Sequence, residues 1–415
     1  MNFSDFNIPE PVQQLIQKLH ENSYEGWIVG GALRTLILGQ APKDWDIATS
    51  ATPDQVKKVF SHTIDTGIAY GTVTVVIDDF HMQVTTFRKE SAYENHRKPS
   101  VAYCQSLIDD LSRRDFTMNA IAYNPYLNQM EDPYSGIQDI EQQWIKAVGN
   151  PEVRFEEDAL RILRALRFQS QLGFAIDGET MTAMQAKAHL LSKLSRERIG
   201  EEWTKWLVGD HFSMTQHTVR EMNFFQIFEK APSDELMKKW DSIPATSSFL
   251  EFRLATFFYL YFNQDKPSDR ISNSLNSLKS LKYGQNLISK VIHFIEFLSL
   301  PMNLELKEER LAITKKALEI DLENAIILTD FLLQQSVDKV LVLKLKNKLN
   351  LLRDTGYHHK VGSIAVSGED VMKILNLPPG PQIKTVLNDI QNHVLENPHL
   401  NTFEALKDYL LKNHR

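Results

Sequence analysis

At 415 residues, with a formal charge of −7, the chain is too long for one ordinary core, and ~2–4 domains are expected. The single cysteine, Cys104, excludes an internal disulfide framework and agrees with a reducing cytoplasm; Asp5 and Glu10 among scattered apolar residues do not make a signal peptide, and no apolar run approaches membrane-spanning length. The acidic balance argues against indiscriminate nucleic-acid binding but leaves room for a basic groove, because local charge decides phosphate contact.

Trp27-Ile28-Val29 reads as a short buried strand, and Gly30-Gly31 then allow a tight turn and the close approach of a ligand. Arg34 falls about one turn into the helix that should follow, within reach of a polyphosphate. Asp44 and Asp46 are two apart, so on a strand both carboxylates project from one face. Converging carboxylates repel unless a cation lies between them, and hard oxygen ligands favour Mg²⁺ shared with substrate phosphates. Singly, a Gly-Gly after a strand is an ordinary turn and an Asp-x-Asp an ordinary solvated loop. On one strand–helix–strand frame they point together to nucleotidyl transfer. No Gly-Lys-Ser/Thr follows the glycines, so this is no P-loop, and the third glycine and downstream acid of a dinucleotide fingerprint are missing.

Val73–Ile77 and Met82–Phe87 are β-rich runs separated by Asp78-Asp79, a hairpin pattern. Glu90–Ser100 is polar and aperiodic: a plain surface loop, or a mobile loop beside an active site. Arg113-Arg114-Asp115-Phe116-Thr117-Met118-Asn119 sets two guanidiniums beside an acid and an amide. On a helix Asp115 and Asn119 face the same way and could hold a ribose hydroxyl, with Arg114 on phosphate; the plainer alternative is a helix start with a local ion pair.

Glu156 to Arg167 has the pattern of a single strong helix whose core stripe is Ala159, Leu160, Leu163 and Leu166. Asp158 and Arg161 lie on the side away from the stripe, Glu157 can pair with Arg161, and Arg164 borders the same polar face. Arg167 falls inside the apolar stripe, where an arginine needs an anionic partner. A carboxylate and a guanidinium held edge to edge match cytosine and adenine, which present an amino donor beside a ring-nitrogen acceptor. Guanine and uracil reverse that polarity. A salt-laced surface helix is the plainer alternative. After Gly149-Asn150-Pro151 leucine-rich helical periodicity runs to the C-terminus, broken near Pro232, Pro244, Pro301 and Pro378-Pro379-Gly380-Pro381. The expectation is an α/β head followed by a long helical body.

Val29-Gly30-Gly31-Ala32-Leu33-Arg34 with Asp44-Trp45-Asp46, then Val84-Thr85-Thr86-Phe87-Arg88, Arg113–Asn119, Asp132–Asp139, Glu157–Arg161 and Ser195–Ile199 together resemble the class II tRNA nucleotidyltransferases. These are the CCA-adding enzymes, here of the bacterial type without a phosphohydrolase domain. The match covers roughly the first half of the chain; the second half matches loosely, at Ser367-Gly368-Glu369-Asp370 and the Pro-Gly-Pro that follows.

The resemblance implies an α/β head (1–149) of the polymerase-beta-type nucleotidyltransferase fold, with an all-α neck (150–210), body (211–310) and tail (311–415). It implies that Asp44 and Asp46 hold two Mg²⁺, one activating the tRNA 3′-hydroxyl and the other stabilising pyrophosphate. Gly31, Arg34 and Arg114 would contact the nucleotide, with Asp115 and Asn119 near the ribose. Asp158 and Arg161 would pair with the base of CTP or ATP, supported by Arg164 and Arg167, while Ser195–Ile199 brace their helix. Within the tail, Lys339–Lys360 carries Lys344, Lys346, Lys348, Arg353, His358, His359 and Lys360, a solvated face or a contact with the tRNA backbone.

Two positions depart from the family pattern: Gln83 stands where many relatives carry a third acid, and Thr35 replaces an acid often found after the arginine. No His-Asp metal signature appears, so phosphohydrolase activity is not expected. Addition of CC alone or A alone, poly(A) synthesis and a non-enzymatic RNA-binding role are the competing functions. The retained Glu90–Ser100 segment favours full CCA addition over CC alone. The mildly charged Phe403–Asn413 ending, without an arginine-rich extension, argues against poly(A) synthesis. Intact Asp44, Asp46, Arg34 and Arg114 argue against a scaffold.

Overall fold

The structure is a computed structural model and describes residues 6–90, 101–104, 106–222, 238–239, 250–300, 306–335, 338–354 and 364–414. The chain divides into two compact units, Met1–Ala231 and Pro232–Arg415. Among the described residues no helix is long and apolar enough to cross a membrane.

The first unit opens with α1 (Glu10–Glu21), β1 (Gly26–Val29), α2 (Gly30–Ile37), β2 (Trp45–Thr49), α3 (Pro53–Val59) and β3 (Thr63–Gly67). There follow β4 (Thr72–Ile77), β5 (Phe80–Thr86), β6 (Arg88–Glu90), β7 (Val101–Tyr103), α4 (Leu107–Ser112), β8 (Ala122–Asn124) and β9 (Gln129–Glu131). A mixed seven-stranded sheet has the order β3-β4-β5-β2-β1-β8-β9. β4 and β5 form the expected hairpin, pairing Ile77 with Phe80 around Asp78 in a left-handed conformation (φ 50°). β5 then runs parallel to β2, with Asp46 opposite Gln83 and Ala48 opposite Thr85. Alternation along these strands separates two faces. Ile47, Val73, Val75, Met82 and Val84 are buried, while Asp46, Gln83 and Thr85 stay at least partly open on the other face.

Beyond the sheet come α5 (Gly136–Glu141), β10 (Trp144–Ile145), α6 (Pro151–Glu157), α7 (Leu160–Leu172), β11 (Ala175–Ile176), α8 (Gly178–Lys187), α9 (Arg196–Leu207) and α10 (Thr215–Glu221). The change to helices after Gly149 is not complete, because β11 returns to pair in parallel with β10. α7 and α9 pack through buried Leu163, Leu166, Ile199 and Trp203. Each such large apolar side chain contributes ~1.5–3 kcal/mol on burial, which makes this layer a firm base for what α7 carries.

The expected single helix from Glu156 to Arg167 is two. α6 ends at Glu157, Asp158 is extended (φ −147°, ψ 101°), and α7 begins at Leu160. The side chain of Asp158 accepts a bond from the Leu160 N–H (3.0 Å), so an acid well suited to capping restarts the helix where periodicity alone saw none.

The second unit is helical throughout its described residues, from Leu250–Tyr261 to Phe403–Asn413. The Pro-Pro-Gly-Pro break is present: Gly368–Leu375 ends on Asn376 in a left-handed cap, and Pro381 opens the next helix. The lysine-rich helix Lys339–Asp354 is not simply a solvated face. Lys346 pairs with Asp330, and Lys348 pairs with Glu396 (3.1 Å), which also receives Arg310 (3.0 Å). Lys344 stands exposed, whereas His358, His359 and Lys360 lie outside the described residues, as do Pro232, Pro244, Pro301 and residues 91–100.

Candidate active site

The site begins at the turn from β1 into α2. Gly30 has φ +65°, and a Cβ there would come 3.2 Å from Arg114 Nη1 and 3.6 Å from Asp46 Oδ2. The positive φ favours glycine, and any side chain there would press on the Arg114 guanidinium. No side chain caps the N-terminus of α2, so its first N–H groups are left for a ligand. Gly31 follows, and one turn on Arg34 donates from Nη1 to Asn119 Oδ1, its guanidinium 5.0 Å from the Phe168 ring centre.

Asp46 lies on β2 as expected, but Asp44 is exposed just ahead of the strand rather than on it. Burial, and then the like charge of Asp44, raise the Asp46 pKa above its ordinary value against the pull of Arg114 and Arg34. Within the described residues no group of three or more His, Cys, Asp or Glu side chains converges. Gln83, beside Asp46 in the register and exposed, adds a neutral amide only. A half-buried carboxylate held above its normal pKa by burial and by a second carboxylate is a donor set that a hard divalent cation relieves, provided substrate oxygens complete its shell.

Across the cleft, Arg113 and Arg114 follow directly on α4, both gripping the buried Asp110 (2.6 and 2.9 Å). Burial alone would raise the Asp110 pKa; the two guanidiniums outweigh it and hold the group below its ordinary value. Asp115 and Asn119 do come together, but through a tight turn rather than a helix: Asn119 Nδ2 donates to Asp115 Oδ1 (2.9 Å). The Asp132–Asp139 stretch supports that turn. Asp139 accepts from Thr117 Oγ1 (2.6 Å), and a Cβ on Gly136 would lie 2.1 Å from the Thr117 carbonyl oxygen.

Asp115 is also the counter-ion of Arg164 (2.6 Å). Its pKa would rise by burial but is driven far below the carboxylate range by Arg164 and the Asn119 and Phe116 donors. An acid so depressed stabilises the fold fully above its unfolded pKa of about 3.9 and loses that contribution as pH falls toward the folded value. Asp115→Asn is therefore expected to cost about 3 kcal/mol or more at neutral pH, the scale for breaking a buried pair. Thermal melts from pH 7 down to pH 3 should show a gap between wild type and variant that is constant above about pH 4 and begins to narrow below it; a gap that closes already above about pH 4, or that does not narrow below it, would refute the assignment.

Arg167 has the anionic partner its apolar surroundings demand, Glu202 of α9 (3.0 Å). Arg34, Arg164 and Arg167 surround the Phe168 ring at 4.4–5.4 Å. Burial, followed by these like charges, lowers Arg34 to about 10 despite Asp115 and Asp46; it stays cationic at neutral pH in surroundings short of negative charge. Arg161 pairs with Glu157 (2.7 Å) as its spacing suggested, and also donates to the carbonyls of Arg154 and Arg113 (both 2.9 Å). Asp158 is held by Arg198 (2.7 Å), so the Ser195–Ile199 stretch braces the break between α6 and α7.

Gly31, Arg34, Asp46, Arg114, Asp158, Arg161, Arg164 and Arg167 line one cavity of about 530 Å³; Asp44 is adjacent but not in its wall. Eight arginines and three aspartates line it, so a chain with a charge of −7 concentrates positive charge here. That balance suits a triphosphate. Sequence reasoning missed Asp110, Glu202 and Phe168. The Asp110 pairs were legible as three- and four-residue spacings to Arg113 and Arg114; Phe168 and Glu202 left no local signal.

Residues 26–146 match the family described as Poly A polymerase head domain, and residues 173–232 the probable RNA and SrmB-binding site of polymerase A. Residues 270–410 match the putative tRNA nucleotidyltransferase domain 2. The CCA-adding enzyme of Geobacillus sp. (strain WCH70) is 36% identical over 411 residues, 97% of each chain. That of Enterococcus faecalis (strain ATCC 700802 / V583) is 33% identical over 413 residues, 99% of this chain and 96% of its own. The crystal structure of the Bacillus stearothermophilus CCA-adding enzyme in complex with CTP superposes with a TM-score of 0.74 at 29% identity, covering 98% of both chains. The Thermotoga maritima CCA-adding enzyme complexed with tRNA shares the fold (TM-score 0.72, 18% identity, 98% of this chain and 97% of that one). With a nucleotide-sized basic pocket beside paired aspartates, and relatives of this identity over the whole length, the chain belongs to the CCA-adding enzymes, the bacterial class II tRNA nucleotidyltransferases.

Proposed function

We propose that the chain adds C, C and A in turn, from CTP and ATP, to the 3′ end of tRNA, using the arginine-rich pocket of its first unit for all three steps. In each step the tRNA 3′-hydroxyl attacks the nucleotide α-phosphate, a phosphodiester forms and pyrophosphate leaves. The observation that carries this reading is the pocket itself, in which arginines on α2, α7 and the turn after α4 converge on the space beside Asp46. Asp44 and Asp46 would hold two Mg²⁺ together with substrate phosphate oxygens, and metal bound there supplies Lewis-acid activation of the hydroxyl and neutralises the leaving group. Gly31 and Arg34 receive the triphosphate at the start of α2, and Arg114 reaches it from the opposite wall.

Asp158 offers an acceptor and Arg161 donors to the Watson–Crick edge of cytosine or adenine. Arg164 and Arg167 fix the helix that carries Arg161, through Asp115 and Glu202. The reading includes a head over 1–149, a neck over 150–210, and a body and tail over 211–310 and 311–415. It also includes work in the cytoplasm, with which the lone Cys104 agrees.

Three tRNA transcripts (lacking CCA, ending in C, ending in CC), each incubated with Mg²⁺ and one nucleotide at a time, test it. CTP should extend the first two and ATP the third, with UTP and GTP excluded. Extension of the third transcript alone would reduce the activity to A addition, and no extension of any would overturn the enzymatic reading.

A further inference from the structure

The nucleotide pocket accounts for one substrate; the single-stranded 3′ end of the RNA must reach Asp44 and Asp46 by another side. On the open face of the sheet, Ala48 and Thr85 lie paired about 7 Å along the strands from Asp46 and Gln83, and Thr85 and Arg88 form part of the pocket wall. Next to them are two tyrosines, Tyr70 and Tyr103, that are not part of the pocket wall. Arg88 Nη1 donates to the Tyr70 carbonyl (2.6 Å), and Arg88 pairs with Tyr103 across β6 and β7.

The Tyr103 ring lies on the backbone of Gly71, where a Cβ would come 2.9 Å from its Cε1; Gly71 also has φ +77°. Despite this packing, Tyr70 and Tyr103 remain 39% and 48% exposed. Beside them the Thr72 and Thr85 hydroxyls share a hydrogen bond (2.9 Å). Two part-exposed tyrosines, an arginine that joins them to the pocket wall, and a hydroxyl-bearing strand surface are the parts from which single-stranded nucleic acid is held: stacking takes the bases and the cation takes the backbone.

We infer that Tyr70 and Tyr103 form a stacking platform for the unpaired bases at the tRNA 3′ end, with Arg88 on the adjoining phosphate. The platform positions the primer and does not touch the incoming nucleotide. It is indifferent to base identity, since every base has a π-face, as a site that must accept an end growing from the discriminator base to CC requires. The inference rests on the tRNA-extending function proposed above.

The test is steady-state A addition to tRNA ending in CC by wild type, Tyr70→Ala/Tyr103→Ala and Tyr70→Phe/Tyr103→Phe, alongside CTP binding by calorimetry. The alanine pair should raise the tRNA KM about tenfold or more and leave the ATP KM and CTP affinity as in wild type, and the phenylalanine pair should restore the tRNA KM. An unchanged tRNA KM in the alanine pair overturns the platform, as does loss of CTP binding, which would assign the rings to the nucleotide pocket or the fold. An equal defect in the phenylalanine pair would move the role from ring to hydroxyl and also overturn it. No transfer by wild type would instead overturn the underlying function, so the two failures are distinguishable.

Discussion

Asp46→Asn is expected to abolish nucleotide transfer, beyond the ~10²–10³-fold that loss of a single preorganised catalytic donor costs, while the protein melts at the wild-type temperature or above it. The two halves of that result share one cause. Burial and the neighbouring Asp44 charge hold the Asp46 pKa above its ordinary value, so its ionised form is a net cost to the folded protein when no cation is present. An amide of the same shape removes that cost. It also removes the negative charge on which metal binding between these residues depends. Mg²⁺ should therefore raise the melting temperature of wild type and not of the variant. Substantial Mg²⁺-dependent transfer by Asp46→Asn would overturn the metal assignment, and so would an undiminished Mg²⁺ shift in its melt.

Arg161→Ala carries the second large effect, on nucleotide choice. Arg161 is 6% exposed and ties three parts of the site together: Glu157 at the end of α6, the Arg154 carbonyl, and the Arg113 carbonyl next to Arg114. Alanine removes the donors offered to the base and also loosens the joint that presents Asp158. A site built to hydrogen-bond its substrate owes its selectivity to buried groups that the wrong substrate leaves unpaired, which is how such sites reach ~10⁴–10⁵ in discrimination. The expected outcome is a fall of about 100-fold in kcat/KM for CTP and ATP, with measurable incorporation of UTP or GTP and unaltered dependence on Mg²⁺ concentration. Arg161→Lys should keep the charge yet recover little selectivity, because a single ammonium cannot reproduce the guanidinium fork across three acceptors. If Arg161→Ala still excludes UTP and GTP, another residue reads the base. Arg198 is then the first to examine, since it already holds Asp158.

What was legible in the sequence was local and periodic. Gly30, with its positive φ, and Arg34 one turn later announce the phosphate turn, since a tight strand-to-helix turn is a matter of a few consecutive residues. The β4–β5 hairpin and the Glu157–Arg161 pair follow from spacings of two and four residues. The need of Arg167 for an acid was also legible, because a guanidinium in an apolar stripe costs too much alone; which acid met it was not. Glu202 is 35 residues away, and only the packing of α9 on α7 brings it close.

The same limit explains the errors at Asp158 and Asp115. Periodicity made one helix of Glu156 to Arg167, but Asp158 bonds the Leu160 N–H and Arg198 instead, a local alternative that the helical period does not register. Asp115 and Asn119 met through a turn fastened by Asp139 and Gly136, contacts more than fifteen residues distant.

By itself, then, the sequence determined the order of the elements, the phosphate turn, the paired aspartates and the family, because each depends on neighbours along the chain. Tertiary structure alone decided how charge is shared out. Asp115 takes Arg164, Glu202 takes Arg167 and Arg198 takes Asp158. Most of these partners are far apart in sequence, and a buried charge is tolerated only where a partner reaches it in space. The outcome is a basic pocket in an acidic protein, a property of three-dimensional proximity that composition cannot express.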